Sequence, residues 1–140
     1  MPVLYHGTSH AFASAMAPAR ARGTIDVTRG GGEFGQGFYT QDSKSSALRI
    51  AQFRHQRASV LELSIDDQQY VNLRRRVLRL RQAIQLTQTL RSSHTMGSHL
   101  EGVDVVIGPL NGDPTIEQQK FESAVSEALL NGPLTQRKVL

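Results

Sequence analysis

Apolar and polar positions divide the chain into short elements of two kinds. Val3-Leu4-Tyr5 is a brief apolar run that stops at His6-Gly7-Thr8, which reads as a strand presenting a polar side chain and an open backbone at its end. Residues 9–22 are rich in alanine, and Pro18 interrupts their later half. They predict a helix over 9–17 with Ser9 as its N-cap, followed by a loop. Residues 24–28 alternate and predict a short strand, and Phe38-Tyr39-Thr40 starts another with aromatic and β-branched residues. Asp42 or Ser43 can cap a second helix to about residue 57, with Ala47, Leu48, Ile50, Ala51 and Phe53 on one face. Residues 59–65 alternate cleanly, as a half-buried strand does.

The second half repeats these two periods. Leu73, Val77, Leu80, Ile84, Thr87 and Leu90 recur in steps of three and four and predict an amphipathic helix over 71–90. A polar loop covers 91–99, and the β-branched run 103–107 predicts a buried strand stopped by Gly108-Pro109. Residues 115–130 predict a helix ended by Asn131-Gly132-Pro133, and 134–140 a final strand. With no repeat and no long linker, the pattern describes one α+β domain over residues 1–140: a small, twisted, mainly antiparallel sheet with helices around it.

Composition narrows the classes. Hydrophobic residues make up 39%, and no apolar run approaches the roughly 20 residues of a membrane span, so no membrane association is expected. The chain contains no cysteine, which removes disulfides, thiol chemistry and cysteine metal sites. Of its five histidines, His6 and His10 stand at His-x-x-x-His spacing, but one ends a predicted strand and the other lies in a predicted helix, so they do not share a helical face and no metal site is expected. The net charge is +4, and residues 68–100 carry Arg74, Arg75, Arg76, Arg79, Arg81 and Arg91 with no acid among them. Such a segment is either a solvated surface or a surface for a polyanion.

The glycines are concentrated. Five of the 12 fall within residues 30–37, a density expected where backbone must come close to a ligand. The run lacks the Gly-Lys-Ser/Thr of a phosphate loop and the glycine spacing of a dinucleotide-binding turn. Together, Tyr5-His6-Gly7-Thr8 and Gly35-Gln36-Gly37-Phe38-Tyr39-Thr40, followed by Asp42-Ser43-Lys44-Ser45-Ser46-Ala47, resemble the ADP-ribosyltransferase superfamily. The resemblance is to its His-Tyr branch, which includes poly-ADP-ribose polymerases, RNA 2′-phosphotransferases and bacterial toxin domains. Val103-Asp104-Val105-Val106-Ile107-Gly108-Pro109 adds a weaker likeness to the toxin domains at the C-termini of polymorphic secreted effectors of the Rhs or type VI kind.

The resemblance implies a split, twisted sheet and NAD as substrate, with no metal. It puts His6 on a ribose 2′-hydroxyl, the Gly7 backbone on the nicotinamide carboxamide and Thr8 near the adenine-side ribose. Tyr39 would pack against nicotinamide, with Gly37 and Phe38 beside it, and Ser46 would hydrogen-bond the carboxamide. Arg20, Arg22 and Arg29 are candidates for the pyrophosphate. Two positions depart from the family: Arg49 stands where the polymerase branch has a second tyrosine, and the last strand offers Gln136 where that branch has a catalytic glutamate. Glutamine can hydrogen-bond a hydroxyl but cannot act as a base. Glu117, Glu122 and Asp104 are the fallback carboxylates, with Glu117 and Glu122 read first as solvated positions on a surface helix.

The expectation is therefore a mono-ADP-ribosyltransferase toxin with His6, Tyr39 and Gln136 as its catalytic set. Its acceptor would be a macromolecule, RNA ahead of protein, held by Arg74, Arg75 and Arg79. As part of a larger secreted effector it would act in a target-cell cytoplasm, and an acidic immunity protein would neutralise it. An NAD glycohydrolase and a non-catalytic nucleic-acid-binding domain are the alternatives.

Overall fold

Seven strands make one mixed sheet, and the α+β class holds. The structure, a computed structural model, describes residues 1–17 and 24–140. In chain order its elements are β1 (Val3–Ser9), α1 (His10–Met16), β2 (Gly31–Gly32), β3 (Gly35–Gln36), β4 (Phe38–Gln41), α2 (Lys44–Gln52) and β5 (Ala58–Ile65). They continue as α3 (Asp67–Val71), β6 (Arg75–Val77), α4 (Leu80–Ser93), β7 (Val105–Leu110), β8 (Asp113–Phe121), α5 (Ala124–Asn131) and β9 (Thr135–Val139). The large sheet runs β6-β7-β8-β4-β1-β5-β9, while β2 and β3 pair only with each other. The chain groups into two compact units.

The first unit comprises Met1–Ile25, Thr40–Asn72 and Ala128–Leu140. Here β1 pairs antiparallel with β5 along its whole length, and β5 with β9. The alternation read in β5 holds over 61–65, where Leu61, Leu63 and Ile65 are fully buried and Glu62 and Ser64 partly exposed, but Ser59 and Val60 are buried as well, so both faces are covered at 59–61. Ser9 caps α1 as expected, its hydroxyl accepting from the Phe12 N–H at 3.2 Å. Ser43, rather than Asp42, caps α2 by accepting from Ser46 N–H. Phe53, assigned to the apolar face of α2, is 86% exposed, because it follows the last helical residue and leaves the stripe. The strand expected over 24–28 does not form. Ile25 bonds instead to the Asn131 side chain, which accepts from Ile25 N–H at 2.7 Å and donates to Ile25 O at 2.8 Å. One amide side chain thus satisfies both backbone groups that a neighbouring strand would have paired.

The second unit comprises Asp26–Tyr39 and Leu73–Glu127, and here two expected helices are replaced. Over 71–90 only α4 is helical. Arg75–Val77 form β6, parallel to Val105–Ile107. Asp104 redirects the chain there: its carboxylate accepts from Arg74 N–H at 2.7 Å, and Arg74 O accepts from the Asp104 and Val105 N–H groups. Val77 and Leu80, placed on the buried stripe by spacing, are 63% and 43% exposed. The helix expected over 115–130 is instead β8 followed by α5. β7 runs past Gly108-Pro109 to Leu110, and the chain turns at Asn111-Gly112, with Leu110 opposite Asp113 and Gly112 at φ 120°. Asn-Gly is a strong hairpin signal, and cross-strand pairing outweighs the helical propensity of Glu117, Gln118, Gln119 and Lys120. The core of this unit gathers Phe34, Leu78, Ala83 and Val106, with Tyr39, Leu86 and Val103 against it.

Asp104 gives this unit an acid-sensitive point. Burial pushes its carboxyl pKa up, but the Ser123 hydroxyl at 2.6 Å, the Arg74 N–H and the Arg74 guanidinium outweigh that and hold it below 3.8. A carboxylate depressed in the folded state contributes stability above its unfolded pKa and loses it as pH falls through the folded value. Asp104→Asn is therefore expected to cost about 1.5–3 kcal/mol at neutral pH, the range for hydrogen bonds to a charged group. Urea midpoints of variant and wild type should approach each other once the pH drops below 3.8.

Candidate functional site

The residues singled out in the sequence fall into both units. In the first, β1 carries His6, Gly7 and Thr8 directly into α1, and Tyr5 lies opposite Gln41 of β4. Gly7 is required by packing. A Cβ there would collide with the Ala47 carbonyl oxygen and stand 3.0 Å from the Ala51 Cβ, so α2 lies directly on the β1 backbone. The same helix holds Ser46 one residue before Ala47, with the Ser46 hydroxyl accepting from Ser43 Oγ at 2.8 Å. The structure thus brings Gly7 and the Ser46 helix together. Thr8 is buried and His6 half-buried.

Gln136 is not brought to His6. Across β1, β5 and β9, His6 is level with Leu61 and Val139, whereas Gln136 is level with Ser64 and Val3. Paired residues in a sheet share a face and successive residues alternate. Three steps of offset therefore put Gln136 on the opposite face from His6, where it cannot serve as the third catalytic residue. Sequence order identified the last strand but could not fix its register. Arg137, level with Leu63 and Leu4, shares the His6 face. Its guanidinium donates to Asn131 Oδ1 at 3.1 Å, while its Nε is buried without a partner among the described residues.

In the second unit the glycine run folds as the β2–β3 hairpin, and its glycines are spent on the protein itself. Gly35, at φ 95°, lies against the His99 carbonyl, and a Cβ on Gly31 would meet Gly97 and Met96 at 3.0 Å. A Cβ on Gly37 would strike the Lys120 side chain and stand 2.8 Å from the Phe121 carbonyl oxygen. Phe38 is buried. Tyr39 ties the hairpin down: its hydroxyl donates to Gly35 O at 2.6 Å and accepts from Phe34 N–H at 2.9 Å. Burial pushes the Tyr39 hydroxyl far above its usual pKa. The Phe34 N–H offsets this in part, and the Glu33 and Glu122 carboxylates add to it. Tyr39 therefore remains a neutral phenol at any physiological pH.

Around the hairpin lies a buried polar group that sequence reasoning missed. Glu33 Oε1 accepts from Gln118 Nε2 and Asn111 N–H, both at 2.9 Å, and the Glu33 carbonyl accepts from Thr87 Oγ1 at 3.1 Å. Lys120 is fully buried with Nζ 2.6 Å from Glu122 Oε1, and Glu122 also accepts from the Glu101 and Gly102 N–H groups. Glu101 in turn meets His99 Nε2 at 2.6 Å and Arg76 Nε at 3.2 Å. Glu122 is thus a buried ion-pair partner, not a solvated helix position. Its signal in the sequence was indirect, a lysine and a glutamate two residues apart and therefore on one face of a strand. Glu117 is exposed on β8.

The acceptor arginines do not form a helical face. Arg74 precedes β6 and pairs with Asp104 at 3.6 Å, Arg75 lies on β6, and Arg79 precedes α4 with its N–H donating to Gln82 Oε1. Arg29 pairs with Asp26 at 3.2 Å, while Arg20 and Arg22 lie outside the described residues. Among the described residues no three His, Cys, Asp or Glu side chains are grouped to hold a metal ion, and no helix is long and apolar enough to cross a membrane. The chain matches no known family model, and no curated protein proves similar to it.

Proposed function

We propose that the chain is an NAD-dependent mono-ADP-ribosyltransferase with the split-sheet fold of the His-Tyr branch, a toxin domain whose acceptor is RNA ahead of protein. One observation carries this reading. The Tyr5-His6-Gly7-Thr8 strand and the Phe38–Gln41 strand, some thirty residues apart in sequence, are sheet neighbours, and the helix bearing Ser46 rests on Gly7. A chance likeness between two short motifs does not require them to meet.

In this reading His6 and Thr8 bind the ribose hydroxyls of NAD, and the Gly7 backbone and Ser46 bind the nicotinamide carboxamide. Tyr39, flanked by Gly37 and Phe38, gives the pyridinium ring an aromatic partner whose stacking is worth about 1–3 kcal/mol. The bond from ribose C1′ to the nicotinamide nitrogen breaks, and its electron pair leaves with neutral nicotinamide. The acceptor's nucleophile then bonds to the cationic C1′ and releases its proton to solvent. No carboxylate base is assigned, so the protein's contribution is orientation and exclusion of water. The wider expectation, delivery within a larger secreted effector into a target-cell cytoplasm with an acidic immunity partner, is carried by the basic net charge of +4 and the toxin-like motifs.

The test is incubation with labelled NAD, total RNA and lysate protein, beside His6→Ala and Tyr39→Ala. Label is expected on RNA, with each substitution lowering transfer about 100-fold, the cost of misplacing the reacting groups. Label on protein keeps the transferase and changes the acceptor. Free ADP-ribose alone makes the chain a glycohydrolase. Unchanged NAD in every sample removes the reading.

A further inference from the structure

The arginines expected to meet RNA are partly neutralised, since Arg74 pairs with Asp104 and Arg76 with Glu101. A different cluster in the first unit is not. Where α1 begins and the chain passes from α2 into β5, an open pocket of about 390 Å³ is lined by His10, Arg54, His55 and Arg57, with Ser9 and Gln56. Its lining comes from residues 9–11 and 54–57, which lie in stretches of the sequence without a single acid: 1–25 contain no Asp or Glu, and neither do 43–61, which hold Lys44, Arg49, Arg54, His55 and Arg57. Arg54 and Arg57 enter no ion pair with any described residue. The pocket is held in shape from the backbone, the His10 N–H donating to Arg57 O at 2.8 Å and Ser9 lying opposite Ala58 in the β1–β5 pairing.

Two exposed aromatic residues are chain neighbours of its lining. Phe53, next to Arg54 in the chain, is 86% exposed, and Phe12, next to Ala11 of the pocket lining, is 62% exposed. A single exposed aromatic is ordinary. Two of them next in the chain to the lining of a pocket whose two arginines pair with no described acid make the combination that binds single strands, cations for phosphates and flat rings for unstacked bases.

We propose that this pocket, together with Phe53 and Phe12 adjoining its lining in the chain, is the docking surface for single-stranded RNA. The choice of RNA rests on the acceptor named in the proposed function, but the binding itself does not depend on NAD chemistry. A double helix fits less well, because its bases are already stacked and offer the phenylalanines no face.

The test is fluorescence anisotropy of the full chain with a labelled single-stranded RNA, without NAD, over a salt series. Arg54→Ala/Arg57→Ala is expected to weaken binding about tenfold and to reduce the log–log salt slope by about 1.4, at roughly 0.7 for each phosphate no longer neutralised. Phe53→Ala, at an exposed position that folding does not need, is expected to weaken it about 5- to 100-fold. Arg75→Ala/Arg79→Ala should stay within about twofold, and a duplex of the same sequence should bind more weakly than the single strand. Unchanged affinity in the Arg54/Arg57 variant, equal binding of the duplex, or displacement of the RNA by NAD alone would each overturn the assignment. Because no NAD turnover is read, failure here leaves the transferase reading standing, and an inactive transferase leaves this surface standing.

Discussion

Glu122→Ala is expected to destabilise the protein by about 3–5 kcal/mol, the cost of breaking a buried ion pair by removing one partner. Lys120 is fully buried, and its Nζ has Glu122 Oε1 at 2.6 Å. Removal of that carboxylate leaves a buried ammonium without its hydrogen-bonded counter-ion. It also takes the acceptor from the Glu101 and Gly102 N–H groups, so the segment leading into β7 loses its anchor. Lys120→Met should cost less, because Glu122 keeps both backbone donors. The double variant Lys120→Met/Glu122→Ala should then be more stable than Glu122→Ala alone. Urea unfolding of the three proteins measures this directly. A Glu122→Ala midpoint equal to wild type would mean that Lys120 finds water in the folded state.

The same pair predicts a pH dependence. Burial lowers the Lys120 pKa below 10.5, and the Glu122 and Glu101 carboxylates only partly restore it. The folded protein therefore releases this proton before the unfolded chain does. Between the folded value and 10.5 the unfolded state holds more protons, so the lysine's cost to stability is relieved as pH rises through that window. Without Glu122 the main restoring influence is gone. The window of Glu122→Ala should then open at lower pH than in wild type, and its stability should rise over a wider alkaline range.

Gly7→Ala is expected to be the second severe change, at or above the roughly 1–3 kcal/mol of an overpacked core. The added methyl would meet the Ala47 carbonyl, part of a helix backbone that cannot turn aside as a flexible side chain can. To make room, α2 must lift from β1, taking Ala47 and Ala51 out of their buried positions. Gly97→Ala is the control: nothing lies within 4 Å of its added carbon, and its cost should fall within about 0.5 kcal/mol. Equal urea midpoints for the two variants would sink this account of Gly7. The outcome also bears on function, because an inactive Gly7→Ala reports a displaced helix before it reports a missing carboxamide partner. His6→Ala and Tyr39→Ala are the better probes of the proposed chemistry. Of these, Tyr39→Ala also releases the hairpin that its hydroxyl holds.

Elements whose signals are local could be read from the order of residues. A serine before an alanine-rich run caps α1, another caps α2, and alternation marks β5 as a strand with its burial alternating over 61–65, because capping and face alternation depend on neighbours within a few residues. The glycine density of the 30–37 run likewise signals close backbone approach, but the expected neighbour is a ligand and the actual one is the protein itself. What approaches it, and what approaches Gly7, came only from folding: helix α2 at Gly7, and the His99 carbonyl, Lys120 and the 96–97 backbone at the hairpin. Two stretches with helical composition became β6 and β8 because pairing with partners distant in sequence, Asp104 and β7, outweighs local helical propensity. Register was equally invisible. Whether Gln136 faces His6 depends on pairing through β5, and a slip of one residue would reverse the answer. The arginines followed the same rule. Counting charges along 68–100 made them one surface, but folding brought in Asp104 and Glu101 to neutralise two of them and set residues 9–11 and 54–57 around the basic pocket. Charge sums over a chain segment, whereas a ligand meets the charges that share a surface.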